Sequence, residues 1–282
     1  MENLVTVATQ VAILFALIGV GFVCRMTKLL NDSSVTGLIN ILLIIVTPCL
    51  VIDVFQRPFD PAKMRALSIA FAVSSAAHFI MISLAAAFFR RGDDRTRTVF
   101  KCATVFSNAG FMGIPLEQAI LGEEGVFFGV VYVVVFNLLM WSWGLAEMGG
   151  RINLRMMLVN PGTVGIACGL PLFLLSAELP AALSQPVSML AGLNTPLAMI
   201  VTGYYLAGAK LGSVARSPSA YLSAVLRLVF CPLAIVAALW PFRASLDREM
   251  MLALVIPASA PAAAMVTMFA SKYGRDVDMA VG

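Results

Sequence analysis

One stretch places conflicting demands on the chain. Phe106-Ser107-Asn108-Ala109-Gly110-Phe111-Met112-Gly113-Ile114-Pro115-Leu116 lies inside an apolar segment long enough to cross a bilayer. Yet between Asn108 and Pro115 it holds an amide, two glycines and a proline. Proline lacks an N–H and its ring collides with the preceding turn, while glycine lowers the cost of leaving helical geometry. A helix through this stretch must break. In hydrocarbon, a broken backbone is tolerated only where protein or a water-filled cavity satisfies its polar groups. Two readings follow: a proline-kinked helix packed in a bundle, or an interrupted helix that lines a substrate site, as in secondary transporters.

The membrane setting rests on composition. Hydrophobic residues make up 60% of the chain and charged residues 12%, with a mean hydropathy of +0.93. Soluble domains carry about 45–50% apolar and about 25% charged residues. Apolar runs of about 20 residues recur from end to end, which predicts an all-α protein crossing the lipid bilayer many times. The first run lacks a basic n-region and an evident cleavage site, so it reads as a retained helix rather than a signal peptide. The net charge of +4 belongs to loops, and no nucleic-acid partner is inferred from it. Cys24, Cys49, Cys102, Cys168 and Cys231 are scattered along apolar segments with no CxxC, so they read as buried thiols. No metal site and no cofactor are expected. His78, in an apolar run, reads as a packed core histidine.

Spans are predicted at roughly 6–24, 34–55, 66–89, 98–121 (broken), 125–147, 160–176, 186–208, 219–240 and 249–271 (broken). Polar punctuation marks the connections: Asn31-Asp32-Ser33, Arg57-Pro58, Gly92-Asp93-Asp94, Gly122-Glu123-Glu124, Gly149-Gly150 and Gly212-Ser213. Loops after odd-numbered spans hold 13 basic residues, Arg155 and Lys210 among them, against 5 after even-numbered spans. The positive-inside bias therefore puts the N-terminus outside. Arg227, near the start of the eighth span, reads as a side chain snorkelling to the cytoplasmic face rather than a substrate clamp.

The chain also echoes itself. Thr47-Pro48 in the second span and Thr195-Pro196 in the seventh lie 148 residues apart, and Pro115 and Pro261 in the two broken spans lie 146 apart. Two landmarks at nearly one offset predict a duplicated five-helix unit, residues 1–147 and 160–282. Five is odd, so the second copy enters from the opposite side, giving an inverted repeat. The same offset predicts a tenth helix near 271–293. Residues 275–282 can rise only about 12 Å against a core of about 30 Å, so that helix is expected to be incomplete within this chain.

The residues from Asn108 to Pro115, continuing through Leu116-Glu117-Gln118-Ala119-Ile120-Leu121-Gly122-Glu123-Glu124-Gly125, resemble the fourth-helix signature of the auxin efflux carrier family. Asn137-Leu138, Trp141-Ser142-Trp143-Gly144, Asn160-Pro161, Pro196-Leu197-Ala198-Met199, Arg227 with Pro232, and Pro261 with Phe269-Ala270-Ser271-Lys272-Tyr273 continue the resemblance in order. The compact loops look like bacterial members labelled malonate or malate permeases. The resemblance implies ten helices in two inverted repeats of five, with helices 4 and 9 crossing at their breaks. It also implies a scaffold of helices 1, 2, 6 and 7, a transport domain of helices 3–5 and 8–10, and a small organic anion as substrate. A homodimer and an inner-membrane location are expectations at the same level.

Where half-helices meet, their N-termini present free N–H groups and partial positive charge, which suits a carboxylate. The backbone of Gly110, Gly113, Pro115, Pro48, Pro196, Pro257 and Pro261 would shape such a site. Asn108 matches an asparagine that plant carriers use for the substrate carboxylate; otherwise it satisfies the broken backbone. Ser259 is the polar candidate in the ninth span, or else bonds its own helix, and Thr47 and Thr195 carry the same two readings. Glu117 and Asp53 are candidate proton carriers unless they sit solvated at helix ends. An intramembrane enzyme would need a catalytic constellation such as paired aspartates or HExxH, and none is found. The alternative is a non-transporting sensor or an inactive carrier relative.

Overall fold

The computed structural model describes residues 2–152, 159–209, 211–243 and 246–281. Arg155 and Lys210, used above for orientation, lie outside these residues, as does the chain's last residue, Gly282. The described residues form helices joined by short connections. They are α1 (Glu2–Met26), α2 (Asp32–Ile41), α3 (Thr47–Phe55), α4 (Pro61–Phe88), α5 (Asp94–Val105), α6 (Ile114–Leu139) and α7 (Leu145–Glu147). After these come α8 (Pro161–Leu174), α9 (Ala181–Ala191), α10 (Asn194–Gly208), α11 (Leu211–Val214), α12 (Pro218–Val225), α13 (Cys231–Leu239), α14 (Arg248–Ala258), α15 (Ala264–Lys272) and α16 (Val277–Val281). Six stretches among the described residues are long and apolar enough to cross a membrane: Ala8–Met26, Asp32–Phe55, Pro61–Phe88, Ala109–Glu147, Ala181–Gly208 and Pro218–Phe242. The chain is an all-α, multi-span membrane protein.

Two of the polar connections read in the sequence, at Asn31 and Asp93, supply helix caps, and Asp60, Asn160 and Ser217 supply others. Side chains of Asn31, Asp60, Asp93, Asn160 and Ser217 each accept from main-chain N–H groups in the first turn that follows. These are donors that a helix start otherwise leaves unpaired.

Three prolines inside spans, Pro48, Pro115 and Pro232, are accommodated by one recurring device. π turns at Leu42–Val46, Ala109–Gly113 and Leu226–Phe230 end one residue before Thr47-Pro48, Ile114-Pro115 and Cys231-Pro232. In each, the N–H of the residue preceding proline reaches back five positions, to Leu42, Ala109 and Leu226 respectively. The wider turn absorbs the ring that would otherwise strike the carbonyl four residues earlier.

The 39-residue stretch Ala109–Glu147 would be about 58 Å long if straight, nearly twice the hydrocarbon core. It folds back at Gly122, whose φ of 66° and ψ of −156° break the helix. The reversal brings the Glu117 carboxylate against the α-carbon of Gly129, two residues that a straight helix would hold about 18 Å apart. A residue with a Cβ would be strained at the Gly122 φ.

Glycines also set the closest helix contacts. Gly21 of α1 lies against the Ile200 backbone of α10, and Gly203 of α10 lies against Ile18 of α1. Gly165 and Gly169 of α8, one turn apart, face Val51 and Phe55 of α3. Small residues let backbones approach where no hydrophobic effect drives association in lipid. Separately, α4, α6 and α14 pack on one another, with His78 of α4 against the buried rings of Phe106 and Tyr132.

Candidate functional site

The fourth and ninth predicted spans are interrupted, and the interruptions pair with each other. α5 ends at Val105 and the chain resumes at Ala109; α14 ends at Ala258 and the chain resumes at Ala264. Between them, Ser107 and Ala262 form an isolated antiparallel bridge. The Asn108 N–H donates to the Pro261 carbonyl at 2.7 Å, and the Ala263 N–H donates to the Phe106 carbonyl at 2.9 Å. Two unwound backbones thus satisfy each other, which is what a membrane interior demands of them. Gly113 sits against Pro257: a Cβ there would lie 3.1 Å from the proline's Cα.

A small cavity lies beside the crossing, with a volume of about 30 Å³, room for one or two waters. Its lining includes Thr47, Asn108, Gly110, Asn137, Asn194 and Ala263. Three amides therefore converge: Asn108 from the break, Asn137 from α6 and Asn194 from α10. Asn194 donates its Nδ2–H to the Gly110 carbonyl at 2.9 Å. Asn137 donates to its own helix at Val133, and its buried Oδ1 has no partner among the described residues. The Thr47 hydroxyl donates to the Leu42 carbonyl, five residues back, inside the π turn.

Above the cavity opens a vestibule of about 1,310 Å³. It reaches from Asp53, Arg57, Lys63, Glu123 and Glu124 down to Leu50, Ile114, Pro115 and Thr195. Leu50 and Asn194 line both spaces and form the partition between them. At the rim, Glu124 pairs with Lys63 at 2.7 Å and Arg57 at 3.2 Å.

Of the residues expected at the site, Asn108, Gly110 and Thr47 line the cavity, while Pro115, Thr195 and Asp53 line the vestibule. Pro261 and Gly113 with Pro257 build the crossing. Pro48 is buried behind Thr47, and Pro196 is half-buried; neither lines a cavity. Ser259 stands apart, exposed, with its hydroxyl donating to Val255 in its own helix at 2.7 Å. Glu117 is not at a solvated helix end: it is fully buried, and neither carboxylate oxygen has a partner among the described residues.

Arg227 corrects a second expectation. It does not snorkel but is 2% exposed, because the π turn Leu226–Phe230 turns it inward to main-chain carbonyls. His78 is buried, with Nδ1 at 2.8 Å from the Ser74 carbonyl and its ring 4.8 Å from that of Tyr132. Asn137 and Asn194 were not singled out as site residues from the sequence. A lone amide inside the apolar run Val126–Leu139 was the available signal for Asn137, since such a group must face protein. Asn194 carried no comparable signal.

Paired helix breaks at the foot of an open vestibule, in a multi-span helical bundle, are the architecture of a membrane transporter. The family model described as membrane transport protein matches residues 6–153 and 150–281. The chain belongs to that family, the one that includes the auxin efflux carriers, whose members are transporters and not enzymes. A comparison with curated proteins returns no match.

Proposed function

We propose that the protein is a secondary transporter for a small organic anion, such as a dicarboxylate of malonate or malate size, in the cytoplasmic membrane. One observation carries this reading. The N-terminal ends of both resumed helices border one cavity, through Gly110 and Ala264, together with the Asn108 amide. Helix N-termini offer unpaired N–H groups and partial positive charge to a carboxylate.

In this proposal α1, α2 with α3, α8, and α9 with α10 are the scaffold. The interrupted helices and their neighbours move against it; each of the two inverted five-helix repeats contributes helices to both parts, and the match in two stretches meeting near Gly150 is consistent with that duplication. The cavity is too small for a dicarboxylate as it stands, so substrate enters when the Asn194–Gly110 contact parts. The basic-residue bias makes the vestibule the outward side and puts the N-terminus outside. Glu117 and Asp53 are the proposed proton-coupling groups. A homodimer through the scaffold remains part of the family expectation.

The test is flux of radiolabelled malonate and malate in proteoliposomes. Saturable uptake supports the reading. Specific binding without flux would identify a sensor, and neither would remove dicarboxylates as the substrate class.

A further inference from the structure

Arg227 is among the largest fully buried side chains, and among the described residues no carboxylate pairs with it. Its partners are of another kind. Nη1 donates to the carbonyls of Val105 at 2.7 Å and Thr104 at 3.3 Å, and Nη2 donates to the carbonyl of Ala258 at 2.5 Å and to Cys231 Sγ at 2.8 Å. Val105 is the last residue of α5 and Ala258 the last of α14. One guanidinium therefore caps the C-terminal ends of both helices that stop at the crossing.

Each helix end left by such a break carries about half an elementary charge, negative at the C-terminus and positive at the N-terminus. Four ends meet at this crossing. The two positive ends border the cavity at Gly110 and Ala264, and the two negative ends meet Arg227. A single positive charge is the amount that offsets two negative half-charges. Without it the four poles largely cancel, and the cavity has little preference for ligand charge. The Val105 and Thr104 carbonyls that Arg227 holds lie two and three residues before cavity-lining Ser107, so the cation lies close behind the cavity wall.

We propose that Arg227 is the positioning residue that sets the charge selectivity of the cavity, by cancelling the negative helix poles and leaving the positive ones to face the ligand. This rests on the organic-anion reading above. The charge, not only the bracing of the two helix ends, is what selects. A unit charge about 10 Å from a ligand, at an effective dielectric of about 20, changes affinity by roughly 10- to 20-fold per ligand charge.

Calorimetry on purified protein with malonate, propionate and neutral malonamide tests this, alongside melting temperature. Wild type is expected to rank dianion over monoanion over amide. A wild type that binds none of the acids, or binds malonamide as well as malonate, overturns the anion reading itself. Given the expected ranking, Arg227→Gln should lose malonate by roughly two orders of magnitude and propionate by one, with malonamide little changed. An equal loss for all three ligands overturns the proposal and leaves Arg227 a structural brace. Arg227→Lys keeps the charge but not the forked reach to both helix ends, so it should melt earlier and still rank the ligands as wild type does. If Arg227→Gln does not fold, the lysine variant decides: a ranking lost along with stability overturns the proposal.

Discussion

The main-chain N–H of Asn108 donates to the carbonyl of Pro261 at 2.7 Å, joining residues 153 positions apart at the point where two helices stop. The bond uses the Asn108 backbone, so its side-chain amide is not needed to satisfy the break. Among the described residues that amide makes no hydrogen bond, and it lines the cavity. Of the two readings open for Asn108, this geometry favours the ligand over local repair.

Asn108→Ala is therefore expected to cut carboxylate transport while leaving the crossing folded. Loss of one hydrogen bond to a charged partner costs about 1.5–3 kcal/mol, or roughly 10- to 150-fold in affinity. Asn108→Asp should be worse, because it sets a negative charge beside an anion. Binding by calorimetry and flux in proteoliposomes check both; normal transport by Asn108→Ala would remove the residue from the site.

Asn194→Ala removes the contact that separates vestibule from cavity. The Gly110 carbonyl loses its side-chain donor, and the partition narrows to Leu50. A cysteine at position 108, in a background otherwise free of cysteine, should react faster with a thiol reagent when Asn194 is alanine. Unchanged labelling would show that Leu50 alone closes the cavity.

Glu117 has no hydrogen-bond partner among the described residues and no exposure. Burying an unpaired polar group costs about 1–3 kcal/mol, so Glu117→Met should raise the melting temperature. If Glu117 carries the coupling proton, the same variant should lose stimulation by a pH gradient but keep substrate exchange. Gradient-driven uptake that survives in both Glu117→Met and Asp53→Asn would exclude the two residues as couplers. Gly129→Ala should be destabilising, because its Cβ would occupy the space of the Glu117 carboxylate.

A fourth prediction concerns the opposite end of the interrupted helix. Asp94 pairs with Arg275 at 2.6 Å, and Arg275 also donates to the Met148 carbonyl, so this pair ties the end of the chain to the start of α5. The hydrogen bond from Arg275 holds the Asp94 carboxyl below the ordinary carboxylate range. A lowered folded-state value means that the pair's contribution is present above the unfolded pKa of about 3.9 and is lost as pH falls through the folded one. The melting temperature of wild type should thus fall more steeply below about pH 4 than that of Asp94→Asn. Parallel curves would mean that the exposed pair adds nothing, as many surface pairs do.

Much of this protein is legible in its residues alone. Hydropathy identifies the membrane class, and Asn31, Asp93 and Asn160 announce the helix starts that they cap. Gly110, Gly113 and Pro115 announce the break, because their effect on a helix is local and needs no partner. Three outcomes waited for the tertiary structure. Glu117 sits beside Gly129 only because the chain reverses at Gly122, and its burial follows from that fold-back. Asn194 meets Gly110 across a sequence distance of 84 residues. Arg227 looks like a charge near a membrane surface until α5 and α14 bring two sets of unpaired carbonyls to it. Local conformational cost is written in neighbouring residues, whereas the partner of a buried polar group depends on which distant backbone arrives beside it.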